Sequence, residues 1–502
     1  MKFFLVSSFA AILLFELLSC QTQPDEREKT AQTYCGSCHQ YPSPSLLPKK
    51  IWEQTVLPQM AILAGIKREI AHLKPSDELD LSVQSPSQLI PDAEWLKIKQ
   101  FYLEKAPDQL AEQDRNEEIE PLTGLFAPQP VPVKGEKVPN LTCVKIDPVR
   151  HCLYAYDEIY RTFWTLMPNT PSKGKPDSLA ISDMQMLNGE VWLMTHIGES
   201  VKVTKKKNGK VTLTNPATGQ SQTLLSNLYR PTQTLAVDLN NDAQEELVTC
   251  QFGYAEGKFS IWHRGPAGVY LEKVLSATPG AVRTVATDWN GDKQTDLVTL
   301  FAQGDERIVV YLNKGNLEFE EKVLLRFSPV NGSSYFELAD FNHDGKQDIL
   351  YTCGDNADYS MVFKPYHGIY IFENQGDNQL KQNYFFPING AYKALARDFD
   401  NDGDLDIASI AFFLNPVAKQ EEGFVYFENN KGDFKSKYLN ISGLGRWLEL
   451  DAADIDGDGD IDIALGSHPL SLMPAGQAID PRWYKGPGIV MLLNQTKQAM
   501  GL

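Results

Sequence analysis

From about residue 140 onward, apolar and polar side chains alternate in short runs separated by stretches rich in Asp, Asn and Gly. A period of two with such breaks predicts half-buried β-strands joined by tight turns. The apolar pairs Leu247-Val248, Leu297-Val298, Ile349-Leu350, Ile407-Ala408 and Ile463-Ala464 each open one of these strands directly after an acidic stretch. The pattern before residue 110 is different. Pro91-Asp92 starts a helical period with Trp95, Ile98 and Tyr102 on one face, ending at Ala106-Pro107. Phe3 to Phe15 form an apolar run behind Lys2, too short to span a bilayer and of the length of an export signal's core.

The acidic stretches are copies of one another. Five segments align without gaps: 238–246, 288–296, 340–348, 398–406 and 454–462. Oxygen-bearing side chains recur at positions 1, 3, 5 and 9: Asp238, Asn240, Asp242 and Glu246; Asp288, Asn290, Asp292 and Asp296; Asp340, Asn342, Asp344 and Asp348; Asp398, Asp400, Asp402 and Asp406; Asp454, Asp456, Asp458 and Asp462. A hard cation of calcium's size needs many oxygens brought to one side by a tight turn, which this spacing supplies. Gly occupies position 6 in the last three copies, whereas Ala243 and Lys293 stand there in the first two. Three to five bound Ca²⁺ are therefore expected.

The second half of the later repeats carries Asn313-Lys-Gly315, Asn374-Gln-Gly376 and Asn429-Asn-Lys-Gly432 after a run of apolar residues, a strand–turn–strand signal. Together with the acidic loops these segments resemble FG-GAP/VCBS repeats, the calcium-loop blades also found in integrin α chains. That resemblance implies one four-stranded propeller blade per repeat. Two degenerate repeats around Asp147 and Asp183 bring the count to seven, and the chain ends one strand short. Gly124-Leu-Phe126 resembles Gly432-Asp-Phe434, so residues near 125 to 134 are expected to supply the missing outer strand and close the ring.

Near the N-terminus stands Cys35-Gly-Ser-Cys38-His39, a CxxCH motif. Two thiols at this spacing form thioethers to haem vinyl groups, and the following His ligates the iron. Between the motif and residue 110 only Met60 and His72 offer a sixth ligand. The segment from Leu46 through Trp52 to Met60 resembles short c-type cytochromes in which a Trp-containing helix brings Met to the iron, which favours Met60 over His72. Leu17-Leu-Ser-Cys20 resembles a bacterial lipobox, with Cys20 the lipidated residue. Cys143 and Cys152 flank Asp147-Pro148 symmetrically and read either as a disulfide across a hairpin or as two buried thiols.

The fold expected is an all-β seven-bladed β-propeller with a small N-terminal all-α cytochrome c-like domain. Its parts are a lipoprotein signal (1–20), a linker (21–32), a haem domain (33–108), a second linker (109–123) and the propeller (124–502). The function expected is single-electron transfer by one covalent haem c, with the calcium-binding propeller docking a redox partner protein or an envelope ligand. The alternatives are a haem-linked oxidoreductase acting on a substrate held by the propeller, or a calcium-dependent adhesion or glycan-binding module. The location implied is the bacterial cell envelope, with a lipid anchor as the membrane attachment. No Ser-His-Asp order, HExxH or phosphate loop stands out, so no residue is assigned catalysis.

Charge sharpens this picture. The chain of 502 residues has a formal net charge of −18, which disfavours nucleic acid as a partner. The five loops hold 20 acidic residues and two lysines, so the rest of the chain is neutral. Arg283 and Lys393, with Tyr335, Arg230 and Arg446 at or near the same register, suggest a cationic collar at one mouth of the propeller channel.

Overall fold

The computed structural model describes residues 25–73, 79–115, 117–133, 138–167, 173–202, 205–215, 218–357, 360–416, 419–471, 473 and 477–497. The segment expected to be an export signal, with Cys20, lies outside the described residues. Seven antiparallel sheets follow one another along the chain, six of them four-stranded. Blade 4 is typical: Ala281–Thr287, Asp296–Phe301, Arg307–Asn313 and Phe319–Arg326 pair in sequence order from the channel outward. The second strand of each blade is buried on both faces, because neighbouring sheets pack against it. Val298 and Leu300 of blade 4, for example, share a core with Phe336 and Tyr351 of blade 5.

The ring closes as the repeat count requires. Phe126–Pro132 runs antiparallel to Gly488–Asn494 and forms the outer strand of blade 7, whose other strands are Trp447–Ala453 and Asp462–Ser467. Joining the two ends of the propeller in one sheet removes an open edge. Part of the expected linker also joins a sheet: Glu120–Pro121 adds a parallel edge to blade 6 beside Asp433–Tyr438.

At every blade junction a side chain of one innermost strand bonds the innermost strand of the next. Thr142 donates to the Ile181 carbonyl at 2.7 Å. Gln185 accepts from Ala236 N at 2.7 Å, and Gln233 accepts from Thr284 N at 2.7 Å. Arg283 donates to the Phe336 carbonyl at 3.0 Å, and Glu337 accepts from Ala396 N at 2.8 Å. Lys393 pairs with Glu449 at 3.3 Å, and Asp451 accepts from Ile146 N at 2.8 Å. Six of these seven bonds occupy a backbone N–H or C=O of an innermost strand, the Lys393–Glu449 pair joins two side chains, and together they set the rotation of one blade on the next.

The helical module contains Glu26–Cys35, a helical stretch built from Lys49–Ile51, Trp52–Val56 and Leu57–Leu63, and a last helix, Asp92–Lys105. The first helix starts within the expected linker, capped by Asp25, whose carboxylate accepts Arg27 N at 2.9 Å. Trp52–Val56 has π geometry, with Leu57 N bonded to the Trp52 carbonyl. Pro58 lacks the N–H that would bond the Gln54 carbonyl, which accounts for the widened turn. The core of the module is Ala31, Leu47, Trp52, Ile98, Phe101 and Tyr102, extended by Val330 of the propeller.

One disulfide reading fails on register. The turn after Asp147 spans four residues, so Asp147 pairs with Cys152 and Cys143 with Tyr156, and both thiols are free and buried.

Candidate functional site

All five acidic loops join the first strand of a blade to its second and share one hydrogen-bond pattern. The position 1 carboxylate accepts the N–H of position 6, at 2.9 Å for Ala243 and Lys293, 2.8 Å for Gly345 and 3.1 Å for Gly403 and Gly459. That turn requires a left-handed residue. Gly345, Gly403 and Gly459 supply it at φ 83°, 100° and 91°, and Ala243 and Lys293 are held at 64° and 69°. A non-glycine residue there costs about 1 kcal/mol.

The position 9 acid has a second role that spacing does not reveal. Asp296, Asp348, Asp406 and Asp462 are fully buried. One oxygen accepts the N–H of position 2: Trp289 at 3.0 Å, Phe341 and Phe399 at 3.1 Å, Ile455 at 3.0 Å. The other accepts the N–H of an Asn on the third strand: Asn313 at 2.7 Å, Asn374 at 2.9 Å, Asn429 and Asn494 at 2.8 Å. Asn313, Asn374 and Asn429 were legible as turn residues, from the Gly that follows each, whereas Asn494 has no such signal. The part of all four in holding the loop was not legible. Asn313 and Asn494 also donate at 2.7 Å to the Leu239 and Phe399 carbonyls, in the loop of the preceding blade.

The loops differ in how their negative charge is met. In the first two, Asn240 and Asn290 turn an amide N–H toward Asp242 and Asp292. In the third, Lys346 pairs with Asp344 at 2.8 Å. In the last two the carboxylates of positions 1, 3 and 5 or 9 face one another, while in the fourth loop Tyr426 Oη donates to Asp406 at 2.7 Å and His343 of the third loop lies 3.5 Å from Asp404. Oxygens of Asp398, Asp400 and Asp402 lie within 4.8 Å of one another, as do those of Asp454, Asp456 and Asp462. Burial first, and then the neighbouring carboxylates, push Asp400 up to about 6. Burial likewise pushes Asp406 and Asp462 up to about 7. Several oxygens crowded round one point are the donor set of a hard cation, which relieves this repulsion when bound.

The first loop departs furthest. Arg264 stands where the other four loop-bearing blades have Asn; Glu246 keeps the position 2 bond, from Leu239 N at 2.9 Å, and takes Asn240 Nδ2 at 3.3 Å in place of the third-strand Asn N–H. These side chains line a small cavity of about 120 Å³ with His263 and Leu317.

In the helical module, Cys35 ends the first helix and is half-buried, while Cys38 is exposed. Burial raises the Cys35 thiol to about 11. His39 Nδ1 lies 2.9 Å from the Gln40 carbonyl. A carbonyl only accepts, so Nδ1 carries the proton and Nε2 keeps the lone pair a metal needs. Met60 packs on the same cluster as Cys35, with Tyr34, Tyr41, Leu46, Ile51 and Leu103 as partly exposed neighbours. Two free thiols, an imidazole with an available Nε2, a thioether and an incompletely covered apolar surface fit a covalent haem. His72 lies outside this cluster, at the end of the short helix Lys67–Ile70.

The module sits on the propeller face opposite the acidic loops, at the links between second and third strands. Tyr366 Oη reaches the Leu46 carbonyl at 3.1 Å, and Lys205 pairs with Asp80 at 3.1 Å. The expected cationic collar is not open for an anion. Lys393 is paired with Glu449, and Arg283 stacks 4.6 Å from the Tyr335 ring. Arg230 and Arg446 are buried, donating to the carbonyls of Gly253 at 2.7 Å and Phe412 at 2.8 Å. In the long link between Asp462–Ser467 and Gly488–Asn494 of blade 7, Trp483 is a core residue bonded to the Ser442 carbonyl at 2.6 Å, while Tyr484 is exposed.

A protein-family profile described as FG-GAP-like repeat matches residues 256–351 and 398–465, which include the second to fifth acidic loops and omit the divergent first. A stretch of 161 residues, 30% of this chain, is 27% identical to cartilage acidic protein 1 of Mus musculus and spans 23% of that protein. Another of 102 residues, 18% of the chain, is 34% identical to integrin alpha-PS5 of Drosophila melanogaster and spans 9% of its length. Among solved structures, BBS1N in complex with ARL6DN, soaked with mercury, aligns with a TM-score of 0.45 at 9% identity, covering 74% of this chain and 97% of that one. With seven sheets in a closed ring and acidic loops that answer to this profile, the chain carries FG-GAP-like repeats on a seven-bladed β-propeller.

Proposed function

We propose that this chain is an exported, lipid-anchored envelope protein in which a calcium-stabilised propeller docks a partner or ligand and the helical module passes single electrons through a covalent haem c. The observation that carries the reading is the donor set of Cys35, Cys38, His39 and Met60 on one small module seated against the propeller. Cys35 and Cys38 would hold the group by thioethers, His39 would offer Nε2, and Met60 would offer its thioether sulfur as a further ligand. When bound, the haem supplies a one-electron couple; a Met ligand raises its potential and closes the position a peroxidase would leave open. The last two acidic loops, with Asp398, Asp400, Asp402 and Asp406 and with Asp454, Asp456, Asp458 and Asp462, are the strongest calcium sites. Loops 288–296 and 340–348 keep the same oxygens, and the first loop is the weakest. Cys20 is the proposed lipid attachment. Among the described residues no helix is long and apolar enough to cross a membrane.

The test is a visible spectrum of the exported full-length protein together with mass analysis of the peptide carrying Cys35 and Cys38. A c-type spectrum and a haem mass on that peptide are expected, and both are lost in Cys35→Ala/Cys38→Ala. A colourless protein with free thiols refutes electron transfer. The likeness to an integrin α chain favours one second reading, adhesion. Calcium-dependent retention on a glycan or cell surface without any change in haem oxidation state would select it.

A further inference from the structure

The helical module does not complete its own core. Val330, in the link between blades 4 and 5, is 5% exposed and belongs to the module's apolar cluster. Val362, from the insertion that links the second and third strands of blade 5 (354–367), packs against the same cluster, whose other partly covered members include Cys35, Leu46 and Met60. The insertion is held firmly at this point. Lys364 is fully buried and donates to the Val330 carbonyl at 3.0 Å and to Ser360 Oγ at 2.9 Å. Tyr366 Oη lies between the Val330 carbonyl at 3.2 Å and the Leu46 carbonyl at 3.1 Å. After the last helix, Gln113 returns to the same place and donates to the carbonyls of Lys364 at 3.2 Å and His367 at 2.8 Å. The chain leaving the module is thus tied to the insertion that the module rests on.

We propose that the blade 5 insertion is a wall of the haem pocket, with Val330, Val362 and Tyr366 as positioning residues that set how much water reaches the iron site. This rests on the haem reading above. Leu46, between the thiol anchor and the methionine, contacts the propeller directly. Reduction potential follows solvent exposure and burial of the prosthetic group, because water stabilises the more highly charged oxidised form. The propeller therefore tunes the couple as well as docking a partner.

The experiment is a spectroscopic redox titration of the full-length holoprotein and three variants: Val362→Asp, Tyr366→Phe and Val362→Ile. Leu271→Asp, at an exposed site on the outer strand of blade 3, is the control. Val362→Asp is expected to raise the oxidised-to-reduced ratio at fixed ambient potential about tenfold, which is 59 mV for one electron. Tyr366→Phe, which removes one hydroxyl and keeps the ring, shifts the ratio in the same direction by less. Val362→Ile and the control stay within twofold of the parent. Val362→Asp and Tyr366→Phe that titrate with the parent, haem still bound, would overturn the proposal while leaving the haem reading intact. A parent protein without a haem spectrum would remove both.

Discussion

Asp462 offers the sharpest separation of two roles that the repeat combines in one carboxylate. It is fully buried, accepts Ile455 N at 3.0 Å and Asn494 N at 2.8 Å, and sits within bridging reach of Asp454 and Asp456. Asp462→Ala leaves two buried N–H groups without an acceptor, at about 1–3 kcal/mol each, for a loss of about 4 kcal/mol. Asp462→Asn keeps one acceptor oxygen and should lose about half of that. With an unfolding entropy of about 2.1 cal/mol/K per residue, a propeller of this size loses about 5 °C of melting temperature for 4 kcal/mol. Asp456 gives the contrast: it is exposed, and its carboxylate accepts one local N–H, from Asp458, at 3.3 Å. The assay is thermal unfolding in chelator and in calcium. Asp462→Ala should melt about 5 °C lower even in chelator, whereas Asp456→Asn should match the parent in chelator and lose part of its gain on adding calcium. If Asp462→Ala melts with the parent in chelator, the two backbone bonds contribute nothing and the stapling argument is wrong.

Three further outcomes follow from the same geometry. Chelation should lower the melting temperature of the parent, and elemental analysis should find at least two calcium ions per chain; an unchanged melt with no bound calcium would contradict the cation reading of the loops. Met60→Ala should keep the covalent haem and gain ready carbon monoxide binding that the parent lacks, and no gain would return the sixth position to His72. His196 is 1% exposed and bonded through Nε2 to Thr212 at 3.0 Å, and burial lowers it to about 4. Its folded value lies below the unfolded 6.5, so the unfolded chain takes up a proton first. His196 should therefore withdraw about 3 kcal/mol of stability from pH 6.5 to 4, opposite in sign to the raised Asp400, Asp406 and Asp462, and the stability difference between parent and His196→Gln in denaturant titrations should shift toward the variant across this range.

Much of this protein was present in its spacing. A period of two between acidic loops about 50 residues apart is enough to specify blades, since each strand set buries its faces only against a neighbour. The missing strand near Phe126 was legible for the same reason, because a ring one strand short leaves an edge. The helix with Trp95, Ile98 and Tyr102 was legible from its period, and the first helix was missed because Glu26 to Cys35 is polar and carries one fully buried side chain, Ala31.

Tertiary structure decided what each polar side chain faces. Position 1 and position 9 look alike in the repeat, but position 9 is pulled into the blade by an Asn backbone N–H that comes from the third strand, 17 to 32 residues later. Arg283 and Lys393 looked like an open collar because a linear pattern cannot show the carbonyl or carboxylate that the next blade brings to them. Cys143 and Cys152 missed each other by the length of one turn. The sequence alone determines which residues carry charge, thiol or apolar surface and how often. Which of those groups meet, and so whether a charge is a ligand, a staple or a pair, depends on contacts between blades, where the cost of burying an unpaired group selects the partner.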